Sequence, residues 1–519
     1  MKNLNIYITI LAVVFASCSD LEEVPTRGLS PEGYFKTAAD VESMILGTYG
    51  LMASSNYYGN GLTTPLQIMS DMVDLGFDYS NYSHFNSFIH TPTNTYPQAL
   101  WNTSYQIIAT ANSAINGVNQ LSGVLTEDKA NELLAESRFV RAFTYYHLVR
   151  LFGDIPYIAS VDFGDPALIK KSTVSDVYTE IVNDLEFAFD HLNMQHQGGV
   201  KSRPSKGTAA TVLASVHMTR ANWDEAYTRS KWVIDNAGAL GYALENDFQD
   251  LWRSDIQASS PEYIFSIDFA GNKNGSGNPV TFENDQTVGA FNGIDGGANP
   301  YGGWSMLVPS LKVFDSWDSN DYRKAVSMTD VLELKSTGVI SDYSQFLIPR
   351  PHASKLTRFS GVRKGNTAGW RSDMDYVVFR YAEVLLIAAE AANELDNTPE
   401  AVGYLNQVRE RARRGGTINF AGNGYGTYGA SASPADESTT ISKLDFRNVV
   451  LEERRIELAF EFKRWYDIVR RDLGNEAFGV NGLEPQPNFN KSVHYLIPLP
   501  QEELDKSPNL EPQNPGYTF

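Results

Sequence analysis

The chain has 519 residues, 42% of them hydrophobic and 12% aromatic, and a net charge of −20 from 42 Lys and Arg against 62 Asp and Glu. That apolar content is ample for a large buried core, and the acidic balance excludes nucleic acid, whose phosphates need basic stripes. The only cysteine is Cys18, which excludes an intramolecular disulfide and a cysteine-ligand metal cluster.

At the N-terminus, Lys2 precedes an apolar run over residues 4–15, too short to cross a bilayer and of a length that suits a secretory signal. Ala16-Ser17-Cys18 follows and resembles a lipobox, with Phe15 where Leu is usual. Residues 1–17 are thus expected to be a lipoprotein signal peptide, with Cys18 the acylated first residue of the mature chain. Stable anchoring needs more than one acyl chain, which bacterial lipoprotein processing supplies. The tract Ser19-Asp20-Leu21-Glu22-Glu23 resembles that of surface-exported lipoproteins, so residues 18–30 read as a lipidated linker facing outward. No later stretch is apolar for long enough to span a membrane as a helix.

Apolar residues at three- and four-residue spacings predict helices over 38–52, 97–121, 127–152, 175–192, 206–220 and 223–236. Residues 262–269 alternate like a strand, and a long glycine-rich loop follows over 271–305. Loops of such length in a compact domain are more often functional than idle. A second helical block is predicted at 380–395, 399–413 and 445–471, with Asn-Thr-Pro at 397–399 as a turn and 415–440 as a polar loop. Two helix pairs resemble tetratricopeptide units, with Ala214 and Ala226 at the small positions of one pair and Ala389 and Ala401 of the other. A general helical hairpin accounts for the same spacing.

Residues 138–157 read RFVRAFTYYHLVRLFGDIPY. Then come SRPSKGTAATVLASVHM at 202–218, FRYAEVLLIAAEAANEL at 379–395, LNQVRERA at 405–412, LEERRIELAFEFKRWYDIVR at 451–470, and YLIPLP and QNPGY near the end. These segments, in this order over nearly the whole mature chain, resemble the SusD/RagB family of outer-membrane lipoproteins. Physically most of their residues are scaffold: Phe139, Phe143, Tyr146, Leu148 and Leu151 form one apolar stripe, and Trp465 lies with Leu458, Phe462 and Val469 on another. Glu457, Glu461, Arg464 and Arg470 read as structural ion pairs, each worth roughly 0.2–0.5 kcal/mol if exposed.

The resemblance implies a mainly α fold, a tetratricopeptide-like superhelix of helical hairpins with a few short strands. It implies one domain over 31–519, with a helical-repeat half at 31–250 and an irregular, loop-rich half at 251–519. It further implies a cell-surface protein that binds glycan by aromatic stacking and hands it to a SusC-like TonB-dependent transporter, without catalysis, cofactor or metal. The family's ligand loops correspond to 75–96 and 271–305. Trp304, in Gly302-Gly303-Trp304-Ser305, resembles the stacking Trp, with Tyr301 beside it; Phe77, Tyr79, Asn81 and Tyr82 match the aromatic-plus-Asn segment by position. The competing expectation is that such rings plug the core beneath their own loops; Asp71 and Asp74 are expected to cap backbone or, alternatively, to accept hydrogen bonds from sugar hydroxyls.

Other functions fare less well. The chain has no H-E-x-x-H, G-x-S-x-G, P-loop or EF-hand motif. Residues 424–429 fit G-x-G-x-x-G, but they precede a polar loop instead of joining a strand to a helix. A glycosidase needs only two carboxylates at a suitable separation, and a RagB-like member would take peptide or glycopeptide; a third alternative is a purely structural lid on the transporter.

Cys18→Ala is expected to abolish acyl labelling and to release the protein from membranes; retained label with unchanged partition would refute the anchor. From Cys18 the linker to Ser30 reaches roughly 40 Å.

Overall fold

Helix ends in the N-terminal half follow local chemistry. The computed structural model describes residues 33–76, 80–162, 164–269, 307–333, 340–345, 348–355, 374–420 and 423–517. Its long N-terminal helices are α1 (Ala38–Met52), α2 (Thr95–Gln120), α3 (Glu127–Phe152), α4 (Val174–His191), α5 (Lys206–Thr219) and α6 (Trp223–Asp235). In α3 the Thr126 hydroxyl accepts from Lys129 N at 3.3 Å, and Glu127 and Asp128 sit at the positive end of the helix. Gly153, at φ 73°, ends it.

Successive helices lie side by side, α2 on α3, α3 on α4, α4 on α5 and α5 on α6. The α3 stripe of Phe139, Phe143, Tyr146, Leu148 and Leu151 is buried. Arg141 locks three of these helices together: Nε and Nη2 donate to Asp184 of α4 at 2.8 and 2.9 Å, and Nη1 to Asn112 of α2 at 2.8 Å. The C-terminal tail closes over the end of α3, where Ile497 N donates to Leu151 O and the Asn514 amide to Phe152 O.

Strands among the described residues are short: β1 (Val73–Leu75), β2 (Tyr263–Ile267), β3 (Leu307–Pro309), β4 (Met328–Thr329), β5 (Val331–Glu333), β6 (Ile340–Asp342), β7 (His352–Ala353), β8 (Tyr376–Arg380), β9 (Gly416–Phe420) and β10 (Asn423–Tyr428). They pair antiparallel, two by two, as β1–β3, β2–β8, β4–β7, β5–β6 and β9–β10. Between and after them run α7 (Tyr381–Glu394), α8 (Thr398–Arg413), α9 (Lys443–Glu457) and α10 (Arg464–Arg470). Ala214 and Ala226 pack with Ile387 and Ala391 of α7 in one small cluster, so their missing bulk lets α5 and α6 approach α7. The fold is mainly α.

Where α7, α8 and α9 meet β2 and β8, the core is ionic. The Glu457 carboxylate takes Arg380 Nη1 at 2.6 Å, Arg323 Nη1 at 2.8 Å, and Arg411 Nη2. Glu262 takes Arg380 and Arg411 at 2.6 and 2.8 Å, and Glu461 takes Arg380 Nε at 2.9 Å and Lys355 Nζ at 2.6 Å. None of these seven side chains is more than 3% exposed. Glu457 and Glu461 are structural ion pairs, as expected, but they are dry and multiply bonded, so the magnitude for exposed pairs does not apply. Burial pushes the Glu457 carboxyl up, but Arg411, Arg380 and Arg323 outweigh it and hold it well below the usual range.

Two expectations are corrected. The helix predicted over 445–471 breaks after Glu457 and resumes at Arg464, with Phe460 and Phe462 at φ 62° and 59°. Lys355 Nζ donates to the carbonyls of Glu457 and Ala459 at 2.9 and 3.0 Å, and Arg380 Nη2 to that of Glu457 at 2.7 Å. Buried cations thus take the carbonyls that a continuing helix would use. Part of the loop expected over 415–440 is the β9–β10 hairpin, entered at Gly415 (φ +73°), where a Cβ would collide with the Tyr428 carbonyl. Its glycines hide the strand alternation.

Glu457→Gln should destabilise the protein by about 3–5 kcal/mol, the cost of breaking a buried pair, read by urea unfolding. Glu457, Glu461, Glu390 and Asp467 are all held below their ordinary values against burial by neighbouring cations. Their stabilisation is therefore complete above the unfolded carboxylate range, about pH 4.5, and is lost as pH falls below it. Melting temperature against pH should drop on the acid side; a flat profile down to about pH 3 would contradict the assignment.

Candidate functional site

Asp71 and Arg464 anchor the segment that leads into the first predicted ligand loop. Their paired contacts are both 2.8 Å, and Asp71 is buried; this carboxylate is an ion-pair partner, not a backbone cap. Two residues on, β1 joins β3 with Val73 opposite Pro309, Asp74 opposite Val308 and Leu75 opposite Leu307. A small apolar cluster of Met72, Val73, Val313, Trp317, Met328, Ala353, Ala459 and Phe460 lies beneath this ribbon. The consequence is topological: the loop leaving β1 at residue 76 and the loop entering β3 at residue 307 start side by side, although more than two hundred residues separate them in sequence.

Phe77, Tyr79, Tyr301 and Trp304, like Cys18, lie outside the described residues. Asn81 and Tyr82 fall on a short helix, Ser80–Asn86, inside the segment 75–96 for which the resemblance implies a loop. Asn81 is half-buried. Tyr82 is 3% exposed, its ring packs against Tyr96 with centroids 5.3 Å apart, and its hydroxyl accepts from Asn60 Nδ2 at 3.1 Å. The exposed platform expected at Tyr82 is therefore corrected to a core position. Its partner Phe85, three residues on and also buried, carried the helical spacing that marks it.

Beside the ribbon lies a polar group that no local pattern revealed, because its members come from distant segments. Asp74 Oδ1 accepts from Leu75 N at 2.7 Å and Asn86 Nδ2 at 3.3 Å, and Oδ2 pairs with Arg350 at 3.0 Å. Both partners of that pair remain partly exposed. Lys312 donates to Gly482 O and the Ser310 hydroxyl to Leu483 O, which holds the segment carrying Glu484 against β3. Burial, with the Asp74 carboxylate adding to it, pushes the Glu484 carboxyl up to about 7, against the opposing pull of Ser310, Arg350 and Lys312. Chemically the group offers carboxylate, amide and guanidinium partners for hydroxyls. Among the described residues no cluster of His, Cys, Asp and Glu is arranged to hold a metal ion.

Stacked helical hairpins bearing a loop-rich C-terminal half define a SusD-like architecture. The chain belongs to the SusD/RagB family: it matches the SusD family over residues 349–517 and the family described as starch-binding associating with outer membrane over 26–218. It is 42% identical to SusD-like protein P2 of Formosa agariphila, with both chains covered in full. Its fold is similar to that of a SusD homolog from Bacteroides thetaiotaomicron, with a TM-score of 0.77 at 22% identity over 94% of this chain and 98% of that one. A laminarin-binding SusD-like protein aligns with a TM-score of 0.75 at 23% identity over 93% of this chain and 100% of the other.

Because the folded Glu484 carboxyl lies above its ordinary value, the folded state holds the extra proton between about pH 4.5 and 7 and loses relative stability across that window. Glu484→Gln should match the parent's melting temperature near pH 5 and exceed it at pH 8. Parallel profiles for the two proteins would remove the proton from Glu484.

Proposed function

We propose that this protein is a cell-surface glycan-binding lipoprotein, anchored at Cys18, that captures oligosaccharide or polysaccharide at the paired loops and delivers it to a SusC-like TonB-dependent transporter. The observation that supports the reading is the β1–β3 register, which pairs Leu75, just before the segment of Phe77 and Tyr79 in sequence, with Leu307, just after the segment of Tyr301 and Trp304. In this reading the rings of Phe77, Tyr79, Tyr301 and Trp304 serve as a platform for pyranose C–H faces, and the polar group of Asp74, Arg350 and Asn86 at the ribbon, with Asn81, supplies partners for sugar hydroxyls. The family's descriptions support a starch-type ligand and the outer membrane, and the laminarin-binding neighbour supports a glucan. The role is binding without turnover, within a single domain in which α5 and α6 of the first half pack on α7 of the second.

Calorimetry with a glycan chosen from a polysaccharide panel that includes laminarin and starch tests this. Trp304→Ala should lose about 1–3 kcal/mol of binding, roughly tenfold to a hundredfold in Kd, by analogy with stacking on other aromatic platforms, at unchanged melting temperature. Equal affinity in the variant would make Trp304 a packing residue, and binding of peptides with no glycan in the panel bound would favour the RagB-like reading.

A further inference from the structure

Away from the loops, at the seam between α3 and the C-terminal half, lies a cavity of about 30 Å³ lined among others by Tyr58, His147, Arg150, Arg454, Lys463 and Tyr466. Arg150 lies between two rings, its guanidinium carbon 3.6 Å from the Tyr146 centroid and 3.5 Å from that of Tyr466. Nε donates to Tyr146 O at 2.9 Å, and Nη2 faces His147 Nδ1 at 3.2 Å. Among the described residues no carboxylate stands within ion-pair distance of Arg150, and no acceptor faces its Nη1. The carboxylates that line the same cavity are engaged elsewhere: Glu383 with Lys463 at 3.0 Å, and Asp467 with Arg454 and Arg470 at 3.0 and 2.7 Å.

The protons around His147 point the same way. Nδ1 also lies 2.9 Å from the Tyr466 hydroxyl, which can donate to it; because the guanidinium beside it only donates, Nδ1 is assigned as the lone-pair side and the ring proton to Nε2, which then donates to the Tyr58 hydroxyl at 2.8 Å. The hydroxyl's own hydrogen finds no acceptor among the described residues, and Tyr58 lines the cavity. Arg454, 2% exposed and lining the same space, has an Nη1 without a partner. Burial, reinforced by Arg150 and Lys463, drives the His147 imidazole well below its ordinary value, so it stays neutral and does not add a charge of its own.

We propose that this cavity is a binding site for one small monovalent anion of the halide class, held by Arg150, the Tyr58 hydroxyl and Arg454. Its volume suits a single ion or one to two waters. Water needs acceptors for its own hydrogens, and the lining carboxylate oxygen without a hydrogen bond, Glu383 Oε2, already faces Lys463 at 3.0 Å. An anion needs only donors, which the Tyr58 hydroxyl and Arg454 Nη1 offer, and it neutralises a guanidinium that otherwise has two aromatic faces, the Tyr146 carbonyl and neutral His147 as partners. The bound ion would staple α3, the segment around Tyr58, and α9 to one another.

Crystals of the full chain grown in sodium bromide test the proposal through anomalous scattering, with a peak expected in contact with Arg150. In solution, melting temperature should rise with chloride by roughly 2–5 °C at a hundredfold excess over Kd, with ionic strength held constant by gluconate. The rise should vanish in Arg150→Met. Arg150→Lys, which retains the charge, keeps a folded comparison if the first variant is poorly soluble, and its chloride dependence should be weakened. Bromide absent from the cavity, with water in its place, overturns the proposal, as does a chloride dependence equal in the parent and both variants.

Discussion

Glu457 is the residue on which the C-terminal half is assembled. A carboxylate removed from water is tolerable only when its lone pairs are filled by donors of opposite charge, and here three arginines from three different elements fill them. Each arginine in turn reaches another buried carboxylate, so the geometry of any one element is set by the others. Arg380 ends β8 and Glu262 leads into β2, which means that the same charges that orient α8 and α9 also hold the buried β2–β8 strand pair. Hydrophobic packing alone would leave these elements free to slide; bidentate ion pairs at 2.6–3.0 Å allow little displacement.

The same network decides where α9 stops. Apolar periodicity runs through Leu458, Phe462 and Trp465 as though one helix continued, and all three are buried. Lys355 and Arg380 nevertheless draw the carbonyls of Glu457 and Ala459 out of the helical ladder, and Phe460 and Phe462 take left-handed backbone angles that a local reading would never assign to phenylalanine. Strain of this kind persists only when the surroundings over-determine it. The break also sets Arg464 at the start of α10, where it meets Asp71 and thereby positions β1. A line of cause thus runs from the ionic core to the β1–β3 ribbon.

That ribbon is three residues long on each strand, too short to be stable by itself. It holds because Asp71 is pinned behind it and a separate apolar cluster lies under it. Tyr82 belongs to the segment that follows β1, yet a helical turn with Phe85 carries it inward, where it supports Tyr96 in place of meeting solvent.

The helices of the N-terminal half, their caps, the α3 stripe, the small residues between hairpins and the family to which the chain belongs were all legible in the sequence. The physical reason is that periodicity, capping and turn chemistry act over a few residues, and the family's segments are long and ordered. The partners of Glu457, the interruption of α9, the burial of Tyr82, and the meeting of Asp74, Arg350 and Glu484 were decided only by the tertiary structure. Those contacts join residues tens to hundreds of positions apart, and a charge reads alike in sequence whether it ends in water or among three guanidiniums; only the folded chain, by removing the water, makes the difference.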